Sequence, residues 1–286
     1  MKSYIIPVLA VLIAGALSWG AWVGEREVGE RETEAPQDTP QHAEVTEVDL
    51  PVAWGDIGMR LVEEGVIDLP KLEEIYASRG GLGKEAELLM SNMGNEKIRM
   101  TRDNANTLLN ILWAFGLANK NPVLEKGPMM DPKYGGAGNF ASTGGWTIAK
   151  GDPMSHYSAY EFVKLTKQEQ EKVERVAQGI YRPCCNNSTY FPDCNHGMAM
   201  LGLLELMAAN NVSEKEMYEV ALGVNRLWFQ GTYEVIDTYV KEQGLAGKVS
   251  AKDLLGSAYS SGSGFGKVFA EVQKLPESKQ EGGCGV

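Results

Sequence analysis

Histidine and cysteine are scarce in this chain. Three histidines rule out a histidine-rich catalytic metal centre, and four cysteines in 286 residues are too few for a disulfide-dense miniprotein. No C-x-x-C pair occurs, so a zinc ribbon or knuckle is excluded, and C-x-x-C-H, H-E-x-x-H and G-x-S-x-G are absent as well. Basic charge is also in short supply: 27 Lys and Arg face 38 Asp and Glu, a net charge of −11. A phosphate-tracking nucleic-acid binder needs clustered cations, so that class of partner is excluded. The deficit is local. Between Gly24 and Leu50 nine acids face two arginines, which leaves only −5 for everything from Pro51 onward.

Charge is missing altogether between Lys2 and Glu25. Tyr4–Val23, YIIPVLAVLIAGALSWGAWV, has the length of a membrane-spanning helix, with Trp19 and Trp22 suited to the interfacial aromatic belt. Lys2 lies before it and the acidic run after it, which orients the body to the outside. The other reading is a cleavable signal peptide with Ala14-Gly15-Ala16 at the cut. Both export the body, and the sequence favours a retained anchor because the apolar run continues past that site. No Cys follows the run, which argues against a lipoprotein anchor.

The expected organisation is a membrane helix or signal over 1–23 and an acidic disordered linker over 24–50. A helical extracytoplasmic domain follows over 51–276, with a flexible Gly/Cys tail over 277–286. From Pro51 on the apolar spacing is helical, and no strand ladder or fixed-period repeat emerges. Asp103–Ala118 puts Leu108, Ile111, Leu112 and Phe115 on one face. Thr166 with Glu169, and Ser213 with Glu216, read as capping boxes opening two further helices. His196–Ala209, HGMAMLGLLELMAA, is apolar on nearly every side, the pattern of a buried central helix. Shorter helices are expected over 57–64, 69–77, 233–243 and 267–274. The fold class is all-α, one multi-helix domain around that helix. Two Gly-rich stretches, within Lys133–Trp146 and Ser260–Lys267, read as surface connections; the second fails the phosphate-loop pattern at Ser261 and Val268. The first is long enough to be a candidate lid.

One segment carries chemistry. Tyr181–Met200, YRPCCNNSTYFPDCNHGMAM, holds Cys184, Cys185, Cys194 and His196. Asp193 and Asn195 are candidate caps for the following helix, and Cys194 then sits at a helix N-terminus, where a thiolate is stabilised. Soft thiolates with an imidazole suit Cu(I) or Zn(II), with Met198 and the tail residue Cys284 as outer candidates. Adjacent Cys184 and Cys185 fit one tetrahedral site poorly, so one of the two is expected to ligate with Cys194 and His196. Export equally allows the four cysteines to close two disulfides, giving a stapled cell-surface binding or scaffold module without metal. A third reading is a thiol-redox or metal-dependent enzyme in which Cys194 is the activated group. Glu205, the one charge in the apolar helix, would then carry protons or pair with Arg182 or Arg226. The sequence leans away from catalysis.

The order Tyr181-x-Pro183-Cys184-Cys185, then Asp193-Cys194 and His196-Gly197, resembles the PCYCGC-motif family of bacterial exported (lipo)proteins over about 25 residues. The resemblance implies a metal role for these cysteines. The chain departs from that pattern in having two cysteines where the family has a three-Cys box, no lipobox and no later cysteine pair.

Overall fold

A computed structural model describes residues 45–91 and 98–274. The expected membrane helix, residues 24–44 of the acidic linker, Cys284 and the Gly/Cys tail lie outside the described residues, and no described helix is long and apolar enough to cross a membrane. The described chain runs β1 (Glu47–Leu50), α1 (Ile57–Glu63), α2 (Leu69–Ala77), α3 (Lys84–Met90), β2 (Ile98–Thr101), α4 (Ala105–Ala118) and α5 (Pro122–Lys126). Four short 3-10 turns between Pro128 and His156 lead to α6 (Lys167–Gly179), α7 (Asn195–Ala209), α8 (Glu214–Trp228) and α9 (Gln230–Glu242). The chain closes with α10 (Ala251–Leu255), α11 (Ser257–Ser260) and α12 (Gly262–Val272).

The fold is mostly helical, and α7 is its axis. Twelve consecutive residues, Gly197 through Ala208, are buried, as an all-round apolar helix requires. The main partner of α7 is α4, whose Leu108, Ile111, Leu112 and Phe115 are likewise buried. The two backbones touch through glycines: a Cβ on Gly116 would stand 2.2 Å from the Met198 carbonyl oxygen, and one on Gly202 would stand 2.9 Å from that of Leu112. The helix α6 packs on the other side through Val173, Val176 and Ala177. Its N-terminus is the expected capping box: the Thr166 hydroxyl accepts the Glu169 N–H, and the Glu169 carboxylate accepts the Thr166 N–H. Ser213 caps α8 by accepting the Glu216 N–H. A second core of Tyr233, Ile236, Val240, Leu254 and Val268 joins α9, α10 and α12.

Three sequence expectations are corrected. A strand pair does exist: β1 and β2 are antiparallel, with Val48 opposite Met100 and Leu50 opposite Ile98. The folded body therefore starts before Pro51, inside the stretch read as linker. Leu50 is buried and Asp49 pairs with Arg99, so the acids of β1 belong to a sheet edge rather than a spacer. The stretch 260–267 is helical, with Ser261 capping α12 through the Gly264 N–H. The Gly-rich stretch 133–146 does run along the surface, with Lys133, Gly135, Gly136 and Gly144 exposed, and side-chain contacts anchor it to the body. Trp146 is buried and donates to the Val66 carbonyl, Trp113 donates to the Ser142 carbonyl, and Tyr134 and Phe140 pack edge-on against Phe191.

Candidate metal centre

The Cys/His segment is the connection from α6 to α7. It leaves α6 through a short antiparallel bridge between Tyr181 and Ser188, with Thr189 donating to the Ile180 carbonyl. The Cys185 N–H bonds back to the Arg182 carbonyl and closes a tight turn at Cys184. Three neighbours then fix the loop from outside. Tyr181 N–H donates to Leu255 O of α10, Gly262 N–H at the start of α12 donates to Cys185 O at 2.7 Å, and Ser142 N–H donates to Asp193 O. Ser263 N–H adds a bond to the Asn186 side chain at 2.8 Å. The loop is thus held by the C-terminal helices and the Gly-rich stretch, elements distant in sequence.

At its end Cys194 is the N-cap of α7, the position the sequence offered to Asp193 or Asn195. Asp193 is engaged elsewhere. One of its oxygens accepts from Arg182 Nη2 at 2.9 Å and the other from Asn187 Nδ2 at 2.8 Å. Arg182 is fully buried beneath the loop, and its Nη2 also reaches the Phe191 carbonyl. It lies directly on α7, where a Cβ at Gly197 would stand 2.7 Å from its Cζ and would require the guanidinium to shift. Its Nε and Nη1 are buried without a hydrogen-bond partner. Burial works against the Arg182 charge, but Cys194, Cys185, Asp193 and Cys184 together more than offset it and raise its pKa.

The geometry brings together three of the four expected ligands at one point and places the fourth beside them. The Cys184 and Cys194 sulfurs and a ring nitrogen of His196 all lie within 4.8 Å of one another. Cys185 belongs to a neighbouring group with Asp193 and the same Cys194. Cys184 is exposed, whereas Cys194 and His196 are recessed. Cys184 and Cys185 beside it hold the Cys194 pKa far below the usual thiol range, helped by Arg182 and the Gly197 N–H and opposed by burial. The same contacts push Cys184 the other way, so Cys194 ionises first. The imidazole of His196 sits against Phe229, with ring centres 4.5 Å apart, and against Trp228 at 5.4 Å. Burial lowers its pKa to about 4, which keeps it neutral, the ligating form, at ordinary pH.

The described cysteines are free thiols, and the nearest sulfurs, those of Cys184 and Cys194, stand 3.8 Å apart, well beyond a bond of about 2.05 Å. Met198 is fully buried in the core. Glu205 does not face the thiols. It lies about 16 Å along α7 from Cys194, fully buried, with Oε2 accepting from Asn119 Nδ2. Its suggested arginine partners are bound elsewhere, Arg182 to Asp193 and Arg226 to Asp237. The third reading therefore loses its proton carrier at Cys194. What sequence reasoning missed is Arg182 as part of this site; its proximity to the three cysteines in the chain was the available signal. Among protein-family models, curated proteins and solved structures nothing matches the chain, and its functional reading rests on the geometry of this loop.

Proposed function

We propose that this chain binds a soft transition metal, copper or zinc, at Cys184, Cys194 and His196 for handling or sensing outside the cytoplasm, held to a membrane by Tyr4–Val23. The observation that carries the reading is the convergence of two thiols and a neutral imidazole within 4.8 Å. Thiolate and imidazole donors select Cu(I) and Zn(II) over hard cations. The exposure of Cys184 fits handover: an incoming thiol displaces the outermost ligand first while Cys194 and His196 keep hold of the ion. The 3.8 Å separation of Cys184 and Cys194 supports a second reading, in which an oxidant closes this pair and the loop becomes a disulfide-stapled module. The two states compete for the same sulfurs.

The test is elemental analysis with thiol counting on the full chain, extracted anaerobically from membranes. Detergent is expected to be required for extraction. The protein is expected to carry copper or zinc and to expose four titratable thiols only after chelation. Metal-free protein with no free thiols would establish the stapled module instead, and release by alkaline carbonate alone would contradict the membrane tether.

A further inference from the structure

The two groups of ligand atoms share one sulfur. Cys184, Cys194 and His196 form the first, and Cys185, Asp193 and Cys194 form the second, each with its ligand atoms within 4.8 Å. Resting on the metal-binding reading above, we infer that the loop holds two Cu(I) ions bridged by the Cys194 sulfur, the second of them shared between Cys194 and Cys185.

The adjacent cysteines supply the first argument. In a site for one ion, Cys184 or Cys185 is redundant, and consecutive residues in a tight turn cannot both close on one tetrahedral centre without strain. Here Cys184 belongs to one group and Cys185 to the other, with Cys194 common to both. Two ions around a common sulfur use both. Thiolate sulfur has lone pairs enough to bridge two soft ions, and an imidazole nitrogen has one, so Cys194 is the atom able to serve both.

The second argument selects the metal. In the second group both Asp193 oxygens are already engaged, by Arg182 and by Asn187. That leaves the two sulfurs as donors for the second ion. Two-coordinate binding by thiolates suits Cu(I), whereas Zn(II) demands four ligands.

Charge supplies the third. Three thiolates around a single Cu(I) carry −2, and around two Cu(I) they carry −1, a smaller load for the one guanidinium beside them. That guanidinium is fully buried, and its Nε and Nη1 have no partner. Anionic sulfur supplies acceptors for such N–H groups, and a buried charge needs them.

The experiment titrates Cu(I) into the reduced full chain in detergent, under anaerobic conditions, against a chromophoric Cu(I) chelator. The expected retention is two Cu(I) per wild-type chain, one in Cys185→Ser, one in Cys184→Ser and none in Cys194→Ser. Cys284→Ser is expected to keep two. Helical content by circular dichroism checks that each variant remains folded. One Cu(I) in the wild type, unchanged in Cys185→Ser, would overturn the bridged pair and leave the single-metal reading standing. A fall to one in Cys284→Ser would assign the second ion to the tail and overturn the inference. No copper in the wild type would overturn the bridged pair and the copper form of the single-metal reading, leaving zinc at Cys184, Cys194 and His196 to the elemental analysis above.

Discussion

Glu205 and Arg182 are both fully buried ionisable residues, yet their surroundings treat them differently. Arg182 has an anion at 2.9 Å and three cysteines around it, so it stays charged. Burial raises the Glu205 pKa well above the usual carboxylate value, against the hydrogen bond that the Asn119 amide donates to it. The folded state therefore holds a proton that the unfolded chain gives up near pH 4.3. A carboxyl with a raised folded pKa contributes stability that is complete below the unfolded value and is lost as pH climbs towards the folded one. Glu205→Gln is neutral in both states and does not share this loss. Urea unfolding at pH 5.5 and pH 8 is expected to show the variant gaining on the wild type as pH rises. A difference independent of pH would mean that Glu205 is ionised in the fold.

At the scale of elements, the contact of α4 with α7 sets the geometry on which the site depends, because α7 carries Cys194 at its cap and His196 in its first turn. Alanine normally improves a helix interior relative to glycine by up to about 1 kcal/mol. At Gly116 the added Cβ meets the Met198 carbonyl oxygen, which belongs to the backbone of α7 and cannot rotate away. Overpacking of this kind costs about 1–3 kcal/mol, so Gly116→Ala is expected to lower stability by about 1–2 kcal/mol in denaturant. An unchanged or higher unfolding midpoint would show that the helices have room to separate. The helices themselves were legible: the spacing of Leu108, Ile111, Leu112 and Phe115 and the Thr166–Glu169 box identify α4 and α6 from sequence alone. The strands were not, because β1 offers only Val48 and Leu50 among acids, and its partner lies about 50 residues away. Glycine misled at α12, where Ser261 supplies the cap and the surrounding helices supply stability that local propensity lacks.

Across the whole molecule, the Cys/His loop is where distant parts of the chain meet. The start of α12, the end of α10 and the stretch 133–146 all bond to it. The candidate ligands were legible because three cysteines and a histidine crowd into thirteen residues. The arrangement was not, because Arg182, Trp228 and Phe229 act on it through tertiary contacts. Those contacts separate the surroundings of the three groups: a recessed thiolate-prone Cys194, a neutral imidazole packed against two aromatics, and an exposed Cys184. The most direct test is X-ray absorption at the copper edge on the full chain loaded with Cu(I). A sulfur-dominated first shell with a nitrogen contribution that disappears in His196→Ala is the expected result. A shell of nitrogen and oxygen without sulfur would contradict the account.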